Sequence, residues 1–472
     1  MDRFPFLDRQ EELGRLDRLA RSKGGGLAVL HGRRRLGKTR LLLEWCRRHE
    51  GLYLTADLSS PDVQRRTLAG AIASRFPGFA DAEYPDWTAL LARLTRDARQ
   101  AKWRGPVVID ELPYLVQSSP ELPSILQRWI DHEAAAARLI VAVAGSSQRM
   151  MQGIVLEAGA PLFGRAAVSL EIGPLPAAFL GKAFPKASPI ELIEHYAAWG
   201  TVPRYWELAA EAVGDVRSRI DQLLLDPLGT LHREPDRLLL EELPPATEVR
   251  PVLDAIGAGA HRLSEIAGRA GSPATSLSRP LKRLLEMGLV RRETPFGEPE
   301  LKSKISLYKI SDPCLRLWFR VVAPHQAVLE GASREGRLGV LGRYWDNLRA
   351  QAFEELCRAQ WPRCANRIGA GAKGTFGATA RWWHGNAPEW DLVSASLDER
   401  VVALGLAHFS DKPLDQGRLD RLTADLQSRP APELPKRYQK ARIVRVLFVP
   451  ERAAGVRIAK GITCVTAADL LA

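Results

Sequence analysis

Short apolar runs alternate with longer amphipathic segments between Leu27 and about residue 172. Four runs stand out, and they are LAVLHG (27–32), LYLTA (52–56), VVID (107–110) and LIVAVAG (139–145). Runs of this length, separated by stretches long enough for helices, are typical of buried parallel strands in βαβ units. The pattern therefore predicts an α/β fold with a parallel sheet, followed by a helical segment over 187–245.

The pattern changes after the Pro244-Pro245 pair, which predicts a domain boundary there. Three short helical periods follow, TEVRPVLDAIG, RLSEIAGRAG and TSLSRPLKRLLEMG, and then two strand-like runs flank a tip rich in proline and glycine. Three helices and a β-hairpin in this order predict a winged helix-turn-helix within 247–325.

A third pattern begins near Arg343 with a long amphipathic helix and a loop rich in glycine and alanine. Strand-like runs follow, namely ARWW, EWDLVSAS, RVVALGLAHF and RIVRVLFVP. We therefore expect four segments: a core at 1–180, a helical lid at 181–246, a winged helix at 247–325 and a terminal α/β domain at 326–472.

The basic charge of the chain is concentrated in its second half. The 472 residues include 67 Lys and Arg and 55 Asp and Glu, a formal net charge of +12. Residues 1–246 hold 32 basic and 31 acidic side chains, whereas residues 247–472 hold 35 and 24. An excess of this kind favours a polyanionic partner, and its position predicts contact with DNA through residues 247–472.

Cysteine usage and hydropathy predict a cytoplasmic protein without membrane association. The five cysteines are scattered and include no CxxC pair, which fits a reducing compartment. The first residues carry charge at once and lack an apolar signal core. No stretch approaches the ~18 apolar residues that a membrane span requires.

The most specific motif is a phosphate-binding loop of the form GxxxxGK[ST]. An apolar run leads into it and an apolar helix pattern, which starts at Arg40, follows it, so backbone N–H groups and a helix N-terminus would face a phosphate. Lys38 is expected to bridge the β- and γ-phosphates of ATP or GTP, and the Thr39 hydroxyl to bind Mg²⁺. The expected nucleotide contacts comprise Gly32, Arg33, Arg34, Arg35, Leu36, Gly37, Lys38, Thr39 and Arg40.

A second element of the same site follows the run VVID. Asp110 would hold Mg²⁺ through water, and Glu111 would orient or deprotonate the attacking water. The alternative is that the two carboxylates only end a strand and cap the next helix. A phosphate loop in the same domain favours the catalytic interpretation.

Several stretches together resemble the archaeal-type ATPase family of the STAND/AAA+ group of P-loop ATPases, in which a winged helix and a restriction-endonuclease-like domain follow the ATPase. The matching stretches lie between residues 6 and 322, and they are FLDRQEEL, HGRRRLGKTRLL, VVIDELPYL, AGSS, FGRAAVSLEIGPL, YAAWGTVPRYWEL and SDPCLRLWFRVV. The resemblance thus covers about two-thirds of the chain and implies ATP and Mg²⁺ as ligands.

The resemblance also implies roles for residues outside the two motifs. Phe6 and Arg9 would lie beside the adenine, Ser146 would sense the γ-phosphate, and Arg165 would be an arginine finger or sensor. Pro203, in the GTVP turn, would belong to a lid that contacts the nucleotide. The alternatives are a strand-terminating serine, a surface arginine and an ordinary turn proline.

In the expected winged helix, polar and basic side chains fall on the third helix and on the hairpin. Such a layout suits phosphate contacts, with base contacts from the helix. The alternative is that the module packs inside the protein and that its basic face is merely solvated. The candidates are Ser276, Ser278, Arg279, Lys282 and Arg283 on the helix, and Arg291, Arg292, Lys302 and Lys304 on the hairpin.

In the terminal domain the resemblance implies a nuclease core of the PD-(D/E)XK type, with an acidic residue on a helix, ExD on one strand and ExK on the next. Glu354 fits the helix, and Glu389 and Asp391 fit the first strand. The next strand has Leu406 and His408 where a glutamate and a lysine are expected. We therefore expect a degenerate nuclease that no longer cuts; an altered metal site that also includes His384 is the alternative.

These features predict an ATP-hydrolysing switch whose nucleotide state is coupled to a DNA-binding second half. A homo-oligomer is one expected form of this switch. Two other functions stay open at this point. One is a STAND-type signalling or scaffold ATPase without nucleic-acid contact, and the other is an active metal-dependent nuclease.

Overall fold

The computed structural model describes residues 4–299, 303, 305–366 and 375–472. The chain forms two compact units, the first comprising residues 6–175 and the second residues 4–5 and 176–472. Lys302 and Lys304, expected on the hairpin, lie outside the described residues. We describe the first unit and the second unit separately.

The first unit contains a five-stranded parallel sheet in the order β2-β3-β4-β1-β5. The strands are β1 (Gly26–His31), β2 (Leu52–Thr55), β3 (Pro106–Asp110), β4 (Ile140–Gly145) and β5 (Ala166–Glu171). Strands β3 and β4 are buried along their whole length, which explains their continuous apolar runs. The predicted α/β fold with a parallel sheet is confirmed.

Amphipathic helices pack around this sheet and bury their apolar faces. In α4 the Asp86 side chain accepts a hydrogen bond from the backbone N–H of Ala89, and Leu90, Leu91 and Leu94 are buried. The helices are α1 (Gln10–Ala20), α2 (Lys38–His49), α3 (Pro61–Ala73), α4 (Trp87–Gln100), α5 (Leu112–Ser118), α6 (Leu122–Trp129), α7 (Ala135–Ala137) and α8 (Gln148–Met151).

The second unit begins with helices and continues into three helices and a hairpin. The first group is α9 (Leu180–Ala183), α10 (Pro189–Trp199), α11 (Pro203–Glu211), α12 (Val216–Ile220) and α13 (Glu234–Glu242). The next group is α14 (Ala246–Gly257), α15 (Leu263–Ala270), α16 (Ser278–Glu286) and the antiparallel strands β6 (Val290–Glu293) and β7 (Leu307–Ile310). This second group, 246–310, has the elements expected of a winged helix, and we call it the hairpin segment.

The rest of the second unit consists of helices and a five-stranded mixed sheet in the order β12-β11-β10-β9-β8. Its helices are α17 (Pro313–Leu317), α18 (Gln326–Gly331), α19 (Arg334–Cys364), α20 (Gln416–Ser428) and α21 (Ala467–Leu471). Its strands are β8 (Phe376–Trp382), β9 (Trp390–Ser396), β10 (Val401–Ala407), β11 (Arg442–Val449) and β12 (Ile462–Thr466). The last strand was not predicted, because its run of five residues is short and only partly buried.

The compact units do not follow the four expected segments. The first unit ends at residue 175, close to the expected boundary at 180, whereas residues 176–246 join the C-terminal half in one unit. Helix α10 packs against α17 and α19, which accounts for this grouping. Within the described residues, no helix is both long and apolar enough to cross a membrane.

Buried ion pairs join the hairpin segment to α17 and α19. Glu355 on α19 accepts hydrogen bonds from Arg316 at 2.6 Å and from Arg291 at 2.5 Å. Glu293 on β6 is paired with Lys309 on β7 at 3.2 Å and with Arg291 at 2.9 Å. Arg291 therefore contacts both carboxylates and ties the hairpin to the long helix.

These pairs control the ionisation of the two glutamates. Burial alone would raise the pKa of Glu355, but Arg316 and Arg291 outweigh it and hold that pKa at about 2. Burial opposes Lys309 and Arg291 in the same way at Glu293, whose pKa is also about 2. Both carboxylates are therefore charged in the folded protein at neutral pH.

We expect the second unit to lose stability in acid through these two carboxylates. Because their folded pKa values lie below the unfolded value of ~4.3, their stabilisation is complete above about pH 5 and is lost as the pH falls towards 2. In Glu355→Gln the free energy of unfolding should fall by ~3–5 kcal/mol at pH 7. Its further loss in acid should be smaller than in the wild type. Urea unfolding at several pH values measures both effects.

The matched control is Glu335→Gln, which changes an exposed glutamate on the same helix. It should leave the free energy of unfolding and its pH profile unchanged. A Glu355→Gln protein that lost stability in parallel with the wild type between pH 5 and pH 2 would contradict the assignment.

Candidate nucleotide site

The sequence motifs meet at one edge of the parallel sheet. Strands β1, β3 and β4 are neighbours in the order β3-β4-β1, and they end at His31, Asp110 and Gly145. The loop Gly32–Gly37, the pair Asp110-Glu111 and Ser146 each follow directly at the carboxyl end of one of these strands. Ligands of open α/β sheets bind at this edge.

Two glycines give the loop its path. A Cβ atom at Gly32, whose φ is +140°, would lie 2.4 Å from the carbonyl oxygen of Ile172. Gly37 has a φ of +88° and directly precedes α2. The loop can therefore pass close to the neighbouring backbone and turn into the helix, which leaves the first N–H groups of α2 without partners in the helix itself.

Lys38 lies at the first position of α2 and is 4% exposed. Its Nζ donates to the carbonyl oxygens of Gly32 at 2.5 Å and of Arg33 at 3.0 Å. The ammonium group is thus held against the start of the loop, at the N-terminus of a helix. A positive charge and a helix N-terminus together form an anion site.

Asp110 lies beside Thr39, the residue that follows Lys38. Its Oδ2 accepts hydrogen bonds from the Thr39 hydroxyl at 2.8 Å and from the Tyr53 hydroxyl at 2.6 Å. A hydroxyl and a carboxylate at this distance fit Mg²⁺, which takes few protein ligands and completes its shell with water and phosphate oxygens.

Glu111 adopts a backbone conformation that is uncommon for residues other than glycine, with a φ of +56°. In this position its carboxylate accepts hydrogen bonds from the Ser146 hydroxyl at 2.6 Å and from the Ser146 N–H at 3.2 Å. The two residues come from the ends of neighbouring strands β3 and β4. This pairing brings the expected catalytic carboxylate and the expected sensor together.

Arg9 supports the loop from outside. It is 5% exposed, and its guanidinium donates to the carbonyl oxygens of Leu36 at 2.9 Å and of Gly173 at 2.6 Å. These contacts join the loop to the segment that follows β5. The side chain of Phe6 is half-buried in the same unit. Arg9 therefore positions the loop, and its expected place beside the adenine stays a prediction.

The other loop residues are placed as follows. Arg33 and Leu36 are buried, Arg35 has a φ of +68°, and Arg40 is half-buried. Arg34 donates to the hydroxyl of Tyr114, a residue on α5.

Sequence reasoning missed Tyr53, Tyr114 and the supporting role of Arg9. Tyr53 was visible as a polar residue in the run LYLTA, but its role required knowing that β2 pairs with β3. Burial, then the charge of Asp110, raises the pKa of Tyr53 well above its usual range, so it donates a hydrogen bond and stays neutral.

The structure places Arg165 far from the loop of its own chain, and its role as an arginine finger or sensor stays a prediction. Arg165 directly precedes β5, whose first residue Ala166 pairs with Leu27 at the amino end of β1. The loop begins at the opposite end of β1, ~16 Å away at 3.3 Å per residue. Arg165 is instead paired with Asp131 at 2.9 Å. Pro203 is the first residue of α11 in the second unit.

In the hairpin segment the basic residues divide into two groups. Arg279 and Lys282 on α16 have 78% and 76% of their side chains exposed and make only long ion pairs, with Glu248 at 3.9 Å and with Glu286 at 3.7 Å. Arg283 is 19% exposed and is paired with Glu248 at 3.0 Å. Ser276 and Ser278 are exposed at the start of the helix.

The expectation that Arg291 lines a free wing is wrong, because it is engaged by two glutamates. Arg292 donates to the carbonyl oxygen of Ser303 at 2.7 Å. The hairpin also contacts the terminal sheet, since the N–H of Phe296 donates to the carbonyl oxygen of Arg381 at 2.8 Å. The alternative interpretation, that the module packs within the protein, therefore fits the hairpin. It fits α16 less well.

The nuclease candidates are only partly brought together. Burial, then the charge of Asp391, raises the pKa of Glu354. Asp391 accepts a hydrogen bond from the N–H of Ala407 at 3.0 Å, and burial raises its pKa as well. Glu389 instead pairs with Arg381 at 2.8 Å on the surface.

The altered metal site considered as an alternative does not form. His384, Glu389, Asp391 and His408 do not occur as a metal-binding group within the part of the chain that the structure describes. His408 lies at the surface with part of its ring covered, and this partial burial, then the charge of Arg418, lowers its pKa. Leu406 packs against the apolar cluster of the terminal sheet, where a ligand would be needed.

Comparison with known proteins identifies the family. A model described as an ATPase domain predominantly from Archaea matches residues 6–206, and one described as Archaea bacterial proteins of unknown function (DUF234) matches residues 318–413. The uncharacterized protein MJECL04 of Methanocaldococcus jannaschii is 31% identical over 413 residues, 84% of this chain and 85% of that protein. The chain belongs to the archaeal-type P-loop ATPase family.

Solved structures support the fold of this archaeal-type ATPase. The Walker-type ATPase PABY2304 of Pyrococcus abyssi has a TM-score of 0.53 and 21% identity, covering 67% of this chain and 96% of that one. The ORC2 protein of Aeropyrum pernix, solved with ADPNP and ADP, covers 74% of this chain and 96% of that one at 15% identity. Its TM-score is 0.43.

Proposed function

We propose that this archaeal-type ATPase binds ATP with Mg²⁺ at the loop Gly32–Gly37 and hydrolyses it. The observation that carries the proposal is the contact of Thr39 with Asp110 at the carboxyl edge of the sheet, beside the Glu111–Ser146 pair. These contacts come from three separate segments that meet where a nucleotide binds in α/β sheets.

Each group has a defined task in this proposal. Loop N–H groups and Lys38 hold the β- and γ-phosphates, and Thr39 and Asp110 hold Mg²⁺, which supplies charge neutralisation at the phosphates when bound. Glu111 accepts a proton from the attacking water or orients it, while Ser146 holds the carboxylate in place. Two further residues act indirectly, because Arg9 positions the loop and Tyr53 positions Asp110.

The proposal is tested by release of inorganic phosphate from ATP, with and without Mg²⁺. Turnover that requires Mg²⁺ supports it, whereas an absence of both nucleotide binding and turnover would overturn it.

Arg165 lies near the amino ends of the strands, opposite the loop, so it could contact only a nucleotide bound by a second copy of the chain. A role for Arg165 in a homo-oligomer therefore predicts that its replacement lowers turnover without weakening nucleotide binding.

We further propose that nucleotide state is coupled to DNA through the hairpin segment. Support comes from the exposed cations of α16 and from the basic excess of residues 247–472. Exposed cations on a helix bind phosphates with little desolvation cost. Because the hairpin is occupied by contacts within its own unit, α16 is the part of the segment proposed to meet DNA.

We expect Arg279→Gln/Lys282→Gln to weaken duplex DNA binding about tenfold at low salt and to reduce the slope of log affinity against log salt by roughly 2. Each change removes one exposed cation from α16. Fluorescence anisotropy with labelled duplex DNA at several salt concentrations measures both quantities.

The matched control is Arg96→Gln/Arg99→Gln, which removes two exposed cations at the same spacing from α4 of the first unit. The control should bind DNA like the wild type. Equal losses in the two double variants would show only a general charge effect and would contradict a site on α16.

The packed hairpin favours a second candidate, a nucleotide-gated scaffold without nucleic-acid contact. In that case DNA affinity would be absent even at low salt, and ATP would change oligomer size. Analytical ultracentrifugation with ADP and with a non-hydrolysable ATP analogue distinguishes this candidate from the first.

We propose that the terminal domain does not cleave DNA. Leu406 takes the place of a metal ligand and packs against the apolar cluster, and Glu389 is paired with Arg381 at the surface. Plasmid incubated with Mg²⁺ or Mn²⁺ should stay supercoiled. Cleavage that disappears in Asp391→Ala would refute this expectation.

A further inference from the structure

The second unit contains a cavity of about 90 Å³ where α14 and β7 meet α19. Its polar lining consists of three cations, one histidine and two amides, and none of the described residues that line it is acidic. They are Lys309, Arg316, Arg320, His261, Asn347 and Gln351. This cavity shares no residue with the proposed nucleotide site or with the exposed cations of α16.

Arg316 is a buried guanidinium with unused donors. The residue is 6% exposed, and its Nη1 donates to Glu355 at 2.6 Å. Its Nε and Nη2 are buried and have no hydrogen-bond partner within the described part of the chain. Buried donors of a charged group are costly when unpaired, so an acceptor that the chain does not supply is expected in the cavity.

The charges around the cavity do not balance. Lys309 is 5% exposed and shares Glu293 with Arg291, which in turn shares Glu355 with Arg316. Two carboxylates are therefore shared among three cations, which leaves a net positive charge.

Arg320 is the third cation of the lining. It lies over the ring of Tyr344 at 5.3 Å and 3.4 Å from the carbonyl oxygen of Gly257, without an acidic partner among the described residues. The excess of cations in the lining, two of them buried, favours a bound anion.

The size of the cavity restricts the anion. About 90 Å³ is several times the ~10–15 Å³ that a single water requires. A compact oxyanion with several acceptor oxygens can accept hydrogen bonds from two arginines and a lysine at once, and guanidinium groups match phosphate oxygens in geometry.

We propose that this cavity binds a small phosphate-type oxyanion, either free or as the terminal group of a phosphate monoester. The anion would complete the hydrogen bonding of Arg316 and would connect the hairpin segment to α19. This goes beyond the proposed ATPase activity and does not depend on it.

The test titrates inorganic phosphate, and separately ribose 5-phosphate, into the full chain by isothermal calorimetry at constant ionic strength with chloride as the reference anion. All proteins carry Lys38→Ala, so that a phosphate at the nucleotide loop is not counted. Binding of either probe at one site supports the proposal, and the two arms distinguish a free anion from a monoester. Heat no greater than that of chloride in both arms would overturn it, because the cavity then holds only water.

Two variants locate the site. Arg320→Gln removes a donor that has no acidic partner among the described residues, and Asn347→Asp places a carboxylate at an exposed position on the lining of the cavity. Each should weaken phosphate binding about tenfold or more. Arg363→Gln, an exposed change on the same helix outside the lining, should leave the affinity unchanged.

Because Asn347 is exposed, its variant tests the site even if Arg320→Gln fails to fold. Affinities equal to that of the Arg363→Gln protein in both variants would overturn the assignment of the cavity.

Discussion

Replacing Lys38 by alanine is expected to lower ATP turnover at least about 100-fold while the protein stays folded. The ammonium group lies at the start of α2 and is held by the carbonyl oxygens of Gly32 and Arg33. A cation preorganised beside the transferred phosphate stabilises charge that develops in the transition state, and losing one such group costs ~10²–10³ in rate. Steady-state phosphate release measures the effect.

The control for this prediction is Lys23→Ala, which removes an exposed lysine from the same unit. Its turnover should equal that of the wild type. Circular dichroism and thermal unfolding establish that the Lys38→Ala protein keeps its fold. If a folded Lys38→Ala protein turned over ATP like the wild type, the assignment of the loop to the nucleotide site would be contradicted.

Replacing Glu111 by glutamine is expected to separate binding from hydrolysis. The amide has the shape of the carboxylate and can still meet Ser146, but it cannot accept a proton from water. General-base catalysis typically contributes ~10²–10⁴ in rate, so turnover should fall by that factor with nucleotide affinity unchanged. Calorimetric titration with ATP and Mg²⁺, together with single-turnover kinetics, measures the two quantities.

Glu121→Gln is the matched control, since Glu121 is an exposed glutamate that directly precedes α6 of the same unit. The affinity of this variant for ATP and its turnover should both equal those of the wild type. If Glu111→Gln lost nucleotide affinity and turnover in equal proportion, Glu111 would be a binding or structural residue and not the base.

The arrangement of the candidate nucleotide site was largely predictable because its parts are local in sequence. A strand, a glycine-rich turn and a helix N-terminus follow one another within residues 27–49. The run VVID predicts the end of a second strand. Parallel pairing then requires that the two carboxyl ends share an edge. The Thr39–Asp110 and Glu111–Ser146 contacts follow from that geometry once the sheet order is known.

Arg165 and Tyr53 show where local reasoning fails. Arg165 stands in a motif that resembles a sensor, but its distance from the loop depends on the end of β5 at which it lies. Tyr53 contacts Asp110 only because β2 pairs with β3, and a sequence pattern does not give the order of strands in a sheet. Both outcomes depend on pairing between segments that are far apart in the chain.

In the hairpin segment, too, the sequence does not predict which basic residues are exposed and which are buried in ion pairs. A count of basic residues treats Arg279 and Arg291 alike, yet one is exposed and the other is paired with two buried glutamates. Glu355 comes from α19, about 60 residues away in sequence, so its pairing could not be predicted from the hairpin. The basic excess therefore divides between an exposed helix and the buried network that lines the proposed anion cavity.

The coupling of ATP to DNA is the central claim of the proposed function, and one measurement tests it most directly. ATP turnover is followed with Mg²⁺, with and without duplex DNA, at ~50 mM and ~200 mM salt. We expect turnover that DNA stimulates at the lower salt concentration, with the stimulation fading at the higher one. Turnover that is identical with and without DNA at both concentrations would contradict the coupling.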